Sequence, residues 1–343
     1  MAATNFIPTF GVRDVGLLPG FTQMTGAAIN IGGDIVGTAY KRFDQDGHGI
    51  GGHAFLYHGG KLGDLGRSAA TAINALGTVL GYTLDSSGNS TPFSYQNETF
   101  TTLPANAYAL NDWGQILIQA PGAVEIREPD GTINSQPVSN ASFVAWAIND
   151  LGQVIGRDFV NAPPDKSNPF GDFYNQVVLV QPGGSDRVIA RNGVSEYCFP
   201  TAMNFLGQAA GYNLDIYYNP VYQSYFYDEG HAMLYRPDGK AIHLGNLLTK
   251  RVGGAPPASI ATGINNFGVI VGYCYTADHQ VLRGFIYLNG TMYDLNALVN
   301  ATGKGLTIES ASGINDLGQI VATAADAAGN EHAVILSVAI PDR

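Results

Sequence analysis

Charge is what this sequence has least of. Only 13% of its 343 residues are charged, 28 acidic and 17 basic, where a soluble domain carries about 25%. Long amphipathic helices need a charged outer face, so they are nearly excluded. Scarce Lys and Arg and a net charge of −11 also oppose nucleic acid, because Lys and Arg displacing counterions supply most non-specific affinity for phosphates. The basic clusters are the pairs Lys41-Arg42 and Lys250-Arg251. Two cysteines, Cys198 and Cys274, are too few for a disulfide framework, and buried thiols are the simpler expectation. No apolar run approaches the roughly 18 residues of a membrane helix, so no membrane partner is expected. The opening MAATNFIPTF lacks the basic and apolar regions of a signal peptide. The expected compartment is the cytoplasm, or the periplasm or exterior if a leader has been removed.

Turn formers are plentiful instead. The chain has 44 glycines and 17 prolines beside 45% hydrophobic residues, which predicts many short strands joined by tight turns. A phrase (A/G)-(I/L/M)-N-x-x-G recurs seven times, with its asparagines at Asn30, Asn74, Asn111, Asn149, Asn204, Asn265 and Asn315. Asn and Gly tolerate positive φ, so each copy reads as a turn between two strands. An apolar run follows, closed by Gly37, Gly81, Gly156, Gly211 or Gly272 in five copies and by Ile118 and Ala322 in the other two. A third strand comes next, as in GHAFLYHGG from Gly52, GHAMLYRPDG from Gly230 and EHAVILS from Glu331. A fourth ends in a phrase such as KLGDLG.

Four short strands, a to d, make one antiparallel sheet per unit. Residues two and four before each asparagine are small, among them Ala28 and Gly26, Ala147 and Ala145, Gly263 and Ala261. A small inner face lets sheets crowd around an axis, the geometry of a β-propeller. The seventh unit lacks a fourth strand, and VRDVGLLPG from Val12 has no unit of its own. The expected fold is therefore all-β: one domain over 1–343, a seven-bladed propeller of four-stranded blades. Its N-terminal strand, about 7–17, should complete the last blade, about 305–340, and leave no open edge.

The phrases GHAFLY…GDLG and AINDLGQVIG resemble those of the HAF-repeat family of bacterial proteins over essentially the whole chain. The resemblance implies repeats of an often extracellular kind and carries no catalytic residue.

In a four-stranded blade the a–b and c–d turns share one face of the disc and the b–c and d–a loops the other. The b–c loops vary in length, which makes their face the expected functional one. In blade five that loop is read over 212–229 and is rich in tyrosine, including Tyr217, Tyr218 and Tyr222; in blade four it is read over 157–175. Tyrosine suits stacking on a sugar or another flat polar ligand; the plainer reading is a loop with its own small core. Equivalent positions with unequal residues are informative in a repeat protein. The predicted mouth holds Met24, Ser68, Phe143, Cys198, Ser259 and Glu309 from strands a, and Thr38, Tyr82, Gln119, Arg157, Tyr212, Tyr273 and Thr323 from strands b. Arg157, Tyr212, Tyr273 and Glu309 are the candidate catalytic residues, an arginine for a substrate carboxylate with a glutamate or tyrosine as acid or base. Tyr197, Tyr217, Tyr218, Tyr222, His48 and His279 are the candidate ligand contacts.

His53, His231 and His332 occupy one repeated position and are read as structural. The segment Asp44-Gln-Asp46-Gly-His48 lacks the later ligands of a calcium loop, so no metal is expected. No phosphate loop or dinucleotide fingerprint occurs, so no cofactor is expected. The reading is a monomeric propeller with one asymmetric pocket for a small-molecule or glycan-like ligand, with acid–base chemistry of the lyase or isomerase type. The alternative is a non-catalytic lectin or interaction scaffold.

Overall fold

The computed structural model describes residues 7–43, 49–66, 69–85, 89–162, 172–191, 196–219, 224–252, 256–279 and 281–339. Seven antiparallel sheets of four strands are arranged in chain order. Their inner strands a are Gln23–Ile29, Ala69–Ile73, Ala107–Leu110, Val144–Ile148, Glu196–Met203, Ala258–Ile264 and Thr307–Ile314. Each of these touches the inner strand of both neighbouring blades, so the ring is closed. Helical structure among the described residues is a single turn at Leu295–Leu298 and a 3-10 turn at Ala301–Gly303.

The motif explains the crowding. A Cβ placed on Gly26 would lie 2.4 Å from the Val321 side chain of blade seven. Every inner strand carries a β-bulge just before its asparagine, for example between Gly26 and Ala28 and between Ala261 and Gly263. At the level of the bulge strand b comes very close to strand a. A Cβ on Gly272 would sit 2.0 Å from the Ile260 carbonyl and 2.7 Å from the Phe285 ring, so only glycine fits, with the third-strand phenylalanine laid across it.

Each asparagine does two jobs. Its Oδ1 caps its own turn, as Asn74 Oδ1 does by accepting from the Leu76 and Thr78 amides at 3.1 and 2.8 Å. Its Nδ2 donates to the backbone carbonyl of the next blade's asparagine. The series runs from Asn30 to Asn74, Asn111, Asn149, Asn204, Asn265 and Asn315 at 3.0–3.2 Å. It closes from Asn315 back to Asn30 at 2.8 Å. All seven asparagines are buried, so the axis is bound by a continuous hydrogen-bonded hoop.

Strand Phe10–Asp14 pairs antiparallel with Glu331–Val338, from Phe10 opposite Val338 to Asp14 opposite Val334. The N-terminal strand thus completes blade seven as expected. Its far edge is covered, because the Asn300 amide donates to the Phe10 carbonyl and the Val12 amide to Thr302 Oγ1. The third-strand histidine meets a fourth-strand aspartate: His53 Nδ1 lies 2.9 Å from Asp64 and His332 Nδ1 2.9 Å from Asp14. In blade six Arg283 and Asp294 take those places at 3.9 Å, and in blade five His231 packs edge-on against His243. Asp14→Ala is expected to cost about 1 kcal/mol, as for a half-exposed pair, read from denaturation midpoints. An unchanged midpoint would remove the pair from the closure.

Two expectations are corrected. The tyrosine-rich segment of blade five is not a loop over the whole of 212–229. Its flanking strands run on as a hairpin, Ala209–Asn219 against Ser224–Tyr235, with Tyr217 opposite Phe226 and Tyr218 opposite Tyr225. Aromatic residues favour a pleated surface, so pairing propagates into the connection. In blade four Val154–Ala162 and Asp172–Val180 extend likewise. Cys198 and Cys274, by contrast, follow the expectation: they are not joined by a disulfide, and both are buried.

Candidate functional site

The b–c face places the residues after the closing glycine of strand b around the axis. Three of these seven positions serve the scaffold. Thr38 and Thr323 are buried, and Thr323 Oγ1 accepts from the Gly26 amide at 3.3 Å. Gln119 bridges two blades, its Oε1 accepting from the Ala145 amide at 2.8 Å and its Nε2 donating to the Phe143 carbonyl at 3.2 Å. Tyr82, Arg157, Tyr212 and Tyr273 are the half-buried remainder.

Arg157 sits in an aromatic cage. Its guanidinium carbon lies 4.4 Å from the Phe199 ring centroid, 4.9 Å from Phe159, and 6.0 Å from both Trp146 and Tyr197. These rings supply cation–π attraction and no counter-charge. Arg157 forms no ion pair with a carboxylate among the described residues, and its buried Nε has no hydrogen-bond partner. Burial lowers its pKa, yet a guanidinium stays charged. Tyr212 stacks on the other contact of the cage, Phe199, with centroids 4.7 Å apart and planes at 11°. Burial raises the Tyr212 and Tyr273 hydroxyls above the usual phenol range, with the Arg157 charge opposing this at Tyr212. Both stay protonated at neutrality and can donate.

The opposite wall is acidic. Among the described residues blade seven alone carries a second bulge in its inner strand, between Ile308 and Ser310, and Glu309 is the extra residue. A bulge re-aims the side chain it contains, which separates Glu309 from its counterparts Met24, Phe143, Cys198 and Ser259. Those four, expected at the mouth, are buried between blades. The bulge before each asparagine displaces an alternation counted straight along the strand. Ser259 Oγ bridges the Ala232 amide and the Gly245 carbonyl at 2.9 Å each.

Glu309 has a neighbour that the sequence analysis missed. Glu331 opens the third strand of blade seven, and its amide donates to Gln23 Oε1 of blade one. Burial, and then the field of Glu309, push its carboxyl up from 4.5 to about 7. Burial also raises Glu309, against the pull of Arg283. The signal was available. GHAF and GHAM have Gly52 and Gly230 where EHAV has Glu331, the same kind of departure at a repeated position that singled out Arg157.

The remaining candidates divide. Tyr197 belongs to the Arg157 cage. His279 is exposed on the blade-six connection and stacks on Tyr275 at 4.7 Å and 12°, and Tyr275 stands 5.9 Å from Tyr273. Tyr217 and Tyr218 lie in the backbone of the blade-five hairpin, and their side chains fall outside the described part of the structure. Tyr222, His48 and Ser68 are outside the described residues, as are Asp44 and Asp46. Among the described residues no cluster of His, Cys, Asp and Glu is arranged to hold a metal.

No family model matches the chain, and no curated protein matches it in sequence. Solved structures do. The chain is similar to streptogramin B lyase at 12% identity, covering 96% of this chain and 98% of that one with a TM-score of 0.52. It is similar to the β-propeller domain of the Trilobed protease from Pyrococcus furiosus at 9% identity, covering 92% and 95% with a TM-score of 0.56. A puromycin-hydrolyzing peptidase of Mycobacterium tuberculosis gives 12% identity, 95% of this chain, 55% of that one and a TM-score of 0.51. The likeness is one of fold. The Pyrococcus domain is described as having an open velcro topology, whereas here the N-terminal strand fastens the ring.

Proposed function

We propose that the b–c mouth is one asymmetric site for a small, glycan-like ligand carrying an anionic group, on which Glu309 and Glu331 perform proton transfer of the lyase or isomerase type. The observation that carries this reading is the extra bulge at Glu309, which occurs in one blade and sets a carboxylate beside a second one titrating near neutrality. A carboxyl at about 7 serves as acid and as base at physiological pH. Arg157, caged by aromatic rings and without a carboxylate partner among the described residues, takes the ligand's anionic group. In an elimination Glu331 accepts the proton from the carbon next to that group, the C–H electron pair forms the double bond, and the C–O bond breaks as the departing oxygen takes a proton from the Glu309 carboxyl, which burial raises. Tyr212 and Tyr273 donate to developing negative charge. Membership of the HAF-repeat family is part of this proposal, supported by the repeated phrases.

A lectin with several equivalent sites would repeat its contact residues. The seven mouth positions instead hold Thr, Tyr, Gln, Arg, Tyr, Tyr and Thr, which favours a single pocket. The test is incubation with oligogalacturonates in deuterated water, following ultraviolet absorbance of the conjugated product and deuterium uptake by mass spectrometry. Arg157→Lys keeps the charge and loses the planar fork, so kcat/KM should fall about 10- to 100-fold, mostly through KM. Neither elimination nor exchange across a panel of uronate and acidic-sugar probes would overturn the catalytic reading.

A further inference from the structure

The opposite face of the disc is not accounted for by this site. Two residues after the motif asparagine stand Leu76, Trp113, Leu151, Leu206, Phe267 and Leu317, in six of the seven blades and 47–77% exposed. The fold does not require them. Blade one has Gly32 there and forms the same turn, with the Gly33 amide donating to the Asn30 carbonyl. Turn positions facing water ordinarily take polar residues, and large apolar side chains exposed at the same turn of six blades mark a contact face.

The annulus surrounds a vestibule on the axis of about 280 Å³. One residue after the asparagine, the rim of this vestibule carries Asp112, Asp150 and Asp316, and no Lys or Arg among the described residues lines it. The carboxylates are fixed in place. The Ala75 amide donates to Asp112 at 2.7 Å, the Asp112 amide to Asp150 at 2.8 Å and the Asn266 amide to Asp316 at 2.9 Å. Burial raises the Asp150 carboxyl against the hydrogen bond from the Asp112 amide, and the fields of Asp112 and Asp316 raise it further, so the three act as one negative centre with no cation among the described lining residues.

We infer that the a–b face docks a protein segment that inserts a Lys or Arg into the acidic vestibule and lays flanking apolar side chains on the annulus. Charge complementarity selects this occupant. A second copy meeting this face would set carboxylates against carboxylates, and an anionic membrane would be repelled by the same centre. The partner's long basic side chain has an apolar stem that suits the rim and a charged end that suits the acids.

The probe is a fluorescein-labelled peptide of alternating leucine and lysine, titrated into the full chain by anisotropy. Its leucine–glutamate counterpart and a polylysine of equal length serve as controls. The leucine–lysine peptide should bind at least about 10-fold more tightly than either control. The double variants Leu206→Ser with Phe267→Ser, and Asp112→Asn with Asp316→Asn, should each weaken binding about 10-fold or more. Both should keep the wild-type melting temperature to within a few degrees and any turnover at the b–c mouth, since asparagine retains the oxygen that accepts the backbone amide and the one bond lost, from Asn266 Nδ2 to Asp316, is exposed to water. Equal binding of polylysine, or binding undiminished in either double variant, overturns the inference. Concentration-dependent dimerisation abolished by Phe267→Ser would assign the face to a second copy, and adsorption to phosphatidylcholine vesicles abolished by the same change would assign it to a membrane; either overturns the proposal.

Discussion

Glu331→Gln should leave the protein more stable than wild type above neutral pH and remove the turnover proposed at the b–c mouth. The Glu331 carboxyl is raised in the folded state from 4.5 to about 7, so protonation favours folding. That contribution is complete below about pH 4.5 and lost as pH rises through about 7, where the fold must hold a charge that burial and Glu309 both oppose. Allowing for partial solvent screening, the ionised group costs about 2 kcal/mol at pH 8. Glutamine never ionises. Denaturation midpoints of the two proteins should coincide near pH 4 and separate by about 2 kcal/mol near pH 8, the variant being the more stable. Turnover should fall at least about 100-fold, the usual contribution of a positioned acid or base. A gain in stability together with a loss of activity is the signature of a group kept for chemistry. A variant less stable than wild type at pH 8 would mean that the ionised carboxylate makes a favourable contact, and the acid–base role would fall with it.

Asn149→Asp should be at least as damaging as Asn149→Ala. Asn149 Oδ1 accepts from the Leu151 and Gln153 amides at 3.1 and 3.0 Å, and its Nδ2 donates to the Asn204 carbonyl at 3.1 Å and to Gln153 Oε1 at 2.8 Å. Alanine leaves two part-buried amides and a buried carbonyl without these partners, at about 3 kcal/mol. Aspartate restores the acceptor for the turn but turns a carboxylate oxygen toward the Asn204 carbonyl and the Gln153 oxygen, where a donor belongs. If the residue served only its own turn, aspartate would be nearly neutral. Urea midpoints for the two variants separate these cases: a harmless Asn149→Asp would mean that the inter-blade bond contributes little.

That contrast also shows which part of the fold was legible. The blade count, the four strands and the closing N-terminal strand followed from a phrase repeated seven times, because repetition reports what every blade must satisfy. The hoop did not follow, although its trace was present. A turn accepts Asp, Ser or Gly in place of Asn, yet all seven positions are Asn, and what Asn adds over Asp is a donor. The mouth was half legible. Arg157 and Glu309 stood out against their equivalents, whereas Met24, Phe143, Cys198 and Ser259 were misplaced, because a bulge is invisible to a count of alternating residues. Glu331 was missed because its strand is third from the axis and was read as scaffold.

The pairing of Phe10–Asp14 with Glu331–Val338 sets the order of events during synthesis. This strand leaves the ribosome before the seven blades and is the last to find its place, since its partner Glu331–Val338 lies about three hundred residues downstream. At about 5–20 residues per second this strand waits from roughly a quarter of a minute to a minute. Six blades can form meanwhile by local pairing, each adding one link to a hoop that stays open. Ring closure is then a single late event that fixes both ends of the ring, and any nascent chain released early would present an unpaired edge and an open seam to the quality-control machinery of the cell.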